Sequence, residues 1–206
     1  MNYPSFYDDV STITVHDPLA EFLGAADDGI IDYRYADAVR LAGHSCPTVA
    51  GAYLMNLKAL SHLYGDELPQ RGGIEVEFRD DLLSGVTGVI ANVTTLITGA
   101  THDSGFKGIA GNFDRRNLLF FNADIDGDIR FRRVDTGASV AVSYHPEIVP
   151  SSEAVKGLIR KMLADVATAQ ERREFATLWQ DRVKRILVDA ADDPRLITLS
   201  SGPAPA

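Results

Sequence analysis

The only cysteine of the chain, Cys46, stands two residues after His44 in the stretch LAGHSCPTVAGAY, residues 41–53, with Pro47 next in line. An imidazole and a thiol spaced i, i+2 on a turn direct both side chains toward one point, and that donor pair suits zinc or iron. A helix opening at Pro47 sets its positive dipole end beside the sulfur, which favours a thiolate as ligand or as nucleophile. The competing reading is a small buried cysteine beside a structural histidine, since free cysteine is among the most buried residue types. A second candidate region is TGATHDSGFKG, residues 98–108. There His102 is a candidate third ligand or general base, and Lys107 a candidate group for binding an anionic part of a substrate.

Other chemistry is excluded by spacing. The residues between Gly99 and Lys107 do not match a phosphate-binding P-loop. DIDGDIR, residues 124–130, fails as a calcium loop: with Asp124 first, the sixth position is Ile129 rather than glycine and the twelfth is Asp135 rather than glutamate. A hairpin turned at Asp126-Gly127 accounts for it. His145 before Pro146 reads as a strand-edge residue, and His16 and His62 are assigned no role. The signatures of nucleophile-elbow hydrolases, zincins and dinucleotide-binding enzymes do not occur.

The elements that must position these residues follow from periodicity. Asp17-Pro18 opens a short helix running to Gly24, and a second helix covers 33–42. From Pro47, apolar residues at Val49, Tyr53, Leu57, Leu60 and Tyr64 recur at helical spacing until Gly65. Cys46 therefore sits at or just before a helix N-terminus. Ile74, Val76 and Phe78 alternate with charged residues and predict a half-buried strand. The stretch SGVTGVIANVTTLITG pulls two ways, since β-branched residues favour a strand. Its Val86, Val89, Ile90, Val93, Leu96 and Ile97 follow a helical period, and the period decides for a helix. Strands are predicted over 118–122, 128–134 and 139–144, with Asp126-Gly127 and Thr136-Gly137 at the turns between them. Two helices follow, one carrying Val155, Leu158, Ile159 and Met162, the other Phe175, Leu178, Val183, Ile186 and Leu187. Helices, then strands, then helices predict an α+β fold, with helices packed on an antiparallel or mixed sheet and a C-terminal helical pair. Residues 1–150 form the core domain, 151–199 a helical segment of the same unit, and 200–206 a frayed tail.

Gly43, His44, Cys46 and Pro47 match a Gly-His-x-Cys-Pro turn that opens a helix. Thr98, Gly99 and Thr101 match a helix ending in Thr-Gly-x-Thr, followed by the Lys107-Gly108 loop, and 178–187 matches a late helix. In this ordered set, spanning about residues 41–199, the chain resembles the FmdE family, proteins similar to one of the subunits of molybdenum or tungsten formylmethanofuran dehydrogenase. The resemblance implies an α+β domain, a homodimer, and a metal site, zinc or else iron, to which His44 and Cys46 belong. Ala42 and Ala100 stand where family members often carry histidine and cysteine, which leaves His102 as the best third donor. A metal-binding protein acting on or binding a small molecule is the first expectation. The alternatives are a metal-free enzyme with Cys46 as nucleophile and His44 or, as the better partner, His102 as its base, and a non-catalytic dimeric accessory protein with a degenerate site.

Composition sets the outer bounds. Of 206 residues, 45% are hydrophobic and 24% charged, as in ordinary globular proteins. A net charge of -9 argues against a nucleic-acid partner, which needs a basic face. The apolar runs fall short of the roughly 18 residues that span a bilayer, and the start, MNYPSFYDDV, shows no secretory pattern. One cysteine excludes an internal disulfide framework. A cytoplasmic protein without membrane contact is the expectation.

Overall fold

The computed structural model describes residues 3–201. Strand β1 (Ile13–His16), helix α1 (Pro18–Leu23), strand β2 (Ile30–Tyr33), α2 (Tyr35–Ala42) and α3 (Pro47–Tyr64) come first. Strand β3 (Ile74–Phe78), α4 (Thr87–Thr98), β4 (Leu119–Phe120), β5 (Ile129–Arg133) and β6 (Ser139–Tyr144) make up the middle. Helices α5 (Glu153–Leu163) and α6 (Ala169–Lys184), a π-helical turn (Arg185–Asp189) and β7 (Ile197–Ser201) complete an α+β fold with a C-terminal helical pair.

The main sheet has the order β4-β3-β5-β6-β7, and β1 pairs with β2 in a separate two-stranded ribbon. Period-2 alternation fixes its two faces. Val76, Phe131 and Val140 lie side by side in one buried row, and Phe78, Ile129 and Val142 in the next. The opposite face carries cross-strand ion pairs, Glu75 with Arg132 and Glu77 with Arg130, the latter two-pronged at 2.5 and 2.8 Å. Helix α3 packs on the apolar face and is buried nearly all round from Val49 to Asn56, as its uniformly apolar and small residues demand.

Several expectations need correction. Strand β4 runs parallel to β3 on its far side and does not form a hairpin with β5, so Asp126-Gly127 does not turn such a hairpin. The antiparallel partner of β5 on that side is β3, which satisfies its whole edge. Composition predicts a frayed tail from Ser200, but Ser200 and Ser201 pair with Ala141 and Val140. The edge of β6 offers a row of backbone partners that outweighs a Ser-rich composition; residues 202–206 lie outside the described residues. Tyr33 ends β2 rather than starting a helix. In α4 the helical period prevails over β propensity, but the buried face is rotated from the expected stripe. Thr87, Ala91, Thr94 and Thr98 are buried beside Val93 and Ile97, while Val86 is exposed. Small side chains on that face allow close approach to α3, where Asn56 Nδ2 donates to Thr94 Oγ1 at 3.0 Å.

One buried charge cluster ties the first helix to the segments that lead into β3 and β4. Asp17 caps α1 through the Leu19 and Ala20 amides and accepts from Arg71 Nη1 at 2.8 Å and Arg115 Nη2 at 2.7 Å. Gly72, at φ +81°, makes room for the arginine: a Cβ there would lie 1.6 Å from Arg115 Nη1. Burial pushes the Asp17 carboxyl up, but the Arg71 hydrogen bond, the Arg115 charge and the Ala20 amide together hold it below the ordinary carboxylate value.

Candidate functional site

Helix α2 ends at Gly43 in the left-handed conformation (φ 74°), and three residues later Cys46 is the N-cap of α3 with Pro47 in the first turn. The half-buried Cys46 Sγ accepts from the Val49 amide at 3.5 Å, taking the place a serine or aspartate oxygen usually fills at this position. The turn is clamped from two sides through Ser45. Its hydroxyl pairs with the buried Tyr35 hydroxyl at 2.9 Å. Its carbonyl accepts from Trp179 Nε1 at 3.0 Å and Gln180 Nε2 at 3.3 Å, both on α6.

Cys46 opens into a cavity of about 640 Å³, a volume within the range of small-molecule sites. Cys46, Pro47 and Thr48 line it at the start of α3, and α3 also supplies Met55. Phe78 and Ile129 of the sheet, Ile90 of α4, and Trp179 and Arg182 of α6 form the walls, with Tyr144 and Pro146 between them. The Tyr144 hydroxyl donates to the Pro47 carbonyl at 3.0 Å. Burial pushes its ionisation far up, while Arg182 pulls the other way and Cys46 and Glu147 add to the rise. Two carboxylates also line the cavity, and both face Arg79. Asp128 accepts from Arg79 Nη2 at 2.7 Å and from the Tyr144 amide at 3.0 Å, and Asp80 lies 3.6 Å from Arg79 Nε.

The other sequence candidates are elsewhere. His44 is exposed, its Nδ1 3.0 Å from the Ala42 carbonyl, and it borders a separate hollow of about 140 Å³ with Leu41, Val89 and Asn92. His102, with 57% of its side chain exposed, faces Asp103 at 3.3 Å and lies 6.3 Å, ring to ring, from Phe121. Lys107 is exposed on the same loop. Neither His102 nor Lys107 lines the Cys46 cavity. Among the described residues no three His, Cys, Asp or Glu side chains gather closely enough to hold a metal ion. A zinc site needs three or four protein donors about one point, and His44, Cys46 and His102 as placed do not supply it.

No family model matches the chain, and no curated protein matches it. Sequence reasoning found Cys46 and its helix but missed Tyr144, Trp179, Arg182, Asp80 and Asp128. These come from four separate segments, none carrying a motif. The one signal in the chain was the single tryptophan, Trp179, sharing a helix face with Arg182 three residues on.

Proposed function

We propose that this protein binds a small organic molecule in the Cys46 cavity, with the thiol at the end of the bound molecule. The observation that carries this reading is the 640 Å³ cavity itself, walled mainly by apolar side chains and lined by the first turn of α3. A cavity of that kind sequesters an apolar body and orients it through a few polar groups. Cys46 as a nucleophile activated by histidine is the less supported form of the reading, because neither His44 nor His102 lines the cavity.

Membership of the FmdE family is part of the proposal. It rests on the GHSCP residues, which form a turn opening a long helix, as the resemblance implies. The zinc or iron site, the homodimer and the cytoplasmic location rest on that resemblance and on composition. No helix of the described residues is long and apolar enough to cross a membrane.

Binding of the neutral dye Nile red, excited through the nearby Trp179, tests the reading. We expect saturable binding that is lost after alkylation of Cys46 with iodoacetamide. Binding that is absent, or unaffected by alkylation, would refute it. Elemental analysis of protein purified without a metal-affinity tag separates the metal reading. Stoichiometric zinc or iron, lost in Cys46→Ala, would establish that reading in place of a metal-free binding site.

A further inference from the structure

Arg182 lines the cavity without an ion pair to any of the described residues. Arg182 is pinned at its inner edge by two backbone carbonyls: Nε donates to Val149 at 2.8 Å and Nη2 to Pro146 at 3.0 Å. Its remaining nitrogen, Nη1, makes no hydrogen bond to the described residues, and none of their carboxylates forms an ion pair with it. The nearby acids are engaged elsewhere. Asp80 and Asp128 face Arg79, Glu147 lies 3.3 Å from His145 Nδ1, and Asp181 pairs with Arg185. An arginine fork held rigid by carbonyls, with one edge left over, is suited to a planar anion.

The adjacent end of the cavity adds to this preference. Thr48 occupies the first turn of α3, where backbone N–H groups lack intrahelical acceptors, and Pro47 before it has no N–H to offer. The Thr48 hydroxyl likewise bonds to none of the described residues. Trp179, three residues before Arg182 on α6, donates to the carbonyl of Ser45 next to Cys46, so α6 brings Arg182 to the cavity wall against the turn that opens α3. The same cavity is lined by apolar surface from Met55, Phe78, Ile90 and Ile129.

We propose that the Cys46 cavity takes a molecule with an apolar or aromatic body and a terminal carboxylate, bound by Arg182 Nη1 beside the first turn of α3. This rests on the binding reading given above and specifies its ligand class. The carboxylate would lie next to the Cys46 sulfur and the apolar body would run toward Phe78 and Ile90. An amine in place of the carboxylate would meet the arginine and be rejected.

The test compares 3-phenylpropanoate with its neutral amide, 3-phenylpropanamide, and with 3-phenylpropylamine. Each is titrated by Trp179 fluorescence and by protection of Cys46 from iodoacetamide. The acid should bind at least about tenfold tighter than the amide, the scale of one charge-assisted hydrogen bond, and the amine weakest. In Arg182→Gln the preference for the acid over the amide should be lost. Equal binding of acid and amide, or tighter binding of the amine, would overturn the carboxylate assignment and leave the cavity reading standing. If none of the three alters Trp179 or protects Cys46, both fail together. The comparison on the unaltered protein needs no variant, so misfolding of Arg182→Gln would not shield the proposal.

Discussion

Gly51 lies inside α3, where alanine is worth about 1 kcal/mol more than glycine on helix propensity alone. Its neighbour reverses that sign. A Cβ at Gly51 would lie 2.3 Å from Tyr144 Cε1, 2.4 Å from Cδ1 and 2.6 Å from Cζ. The clash is with the side of an aromatic ring that is itself fixed by its hydrogen bond to Pro47, so a small shift does not relieve it. Forcing extra volume into a packed core costs about 1–3 kcal/mol, and displacing the ring gives up a hydrogen bond worth about 1 kcal/mol. Against the propensity gain, Gly51→Ala should destabilise the protein by about 1–3 kcal/mol, lowering the melting temperature by about 2–10 °C for a chain of this size. Gly157 in α5 has nothing within 4 Å of a Cβ, and Gly157→Ala should stabilise by about 0.5–1 kcal/mol. Urea titration followed by Trp179 fluorescence and circular dichroism compares the two. A stabilising Gly51→Ala would refute the α3–β6 packing on which the cavity wall depends.

Three further outcomes follow from the same structure. Asp17→Asn leaves Arg115, only 5% exposed, without its carboxylate and should cost about 3–5 kcal/mol in denaturant titration. Because the Asp17 carboxyl titrates below its unfolded value, its stabilisation is complete above about pH 4 and is lost as pH falls through the folded value. Acid unfolding should therefore be less steep in Asp17→Asn. Tyr35→Phe removes the hydroxyl held by Ser45 and should cost about 1 kcal/mol while speeding iodoacetamide labelling of Cys46, read by mass spectrometry. Thr168→Ala breaks the reciprocal cap with Glu171 at the start of α6 and should cost about 1 kcal/mol, seen as faster amide exchange in the first turn.

Long periodic segments and elements marked by a cap or clear alternation were legible in the sequence, and the N-terminal strands were not. Helix α3 was readable from Pro47 to Gly65 because eighteen residues of one period outweigh local noise, and α4 was readable by its period even against its β-branched composition. Strands β1 and β2 have four residues each, too few for alternation to stand out. Ser200 and Ser201 form strand because β6 supplies an open edge, a fact absent from their own composition.

The candidate site divides the same way. The sequence alone determined that Cys46 stands at the N-terminus of a long helix, since a proline after it and an apolar repeat beyond it are local properties of the chain. Only the tertiary structure decided what that thiol faces. Residue type alone points to His44 and His102 as the converging partners, but cavity walls are drawn from whichever elements pack together. Here α3, α4, the sheet and α6 bring Tyr144, Trp179 and Arg182 to Cys46 and leave both imidazoles outside. Spacing along a chain fixes neighbours within one element, whereas neighbours across elements are fixed by how apolar faces are buried against each other.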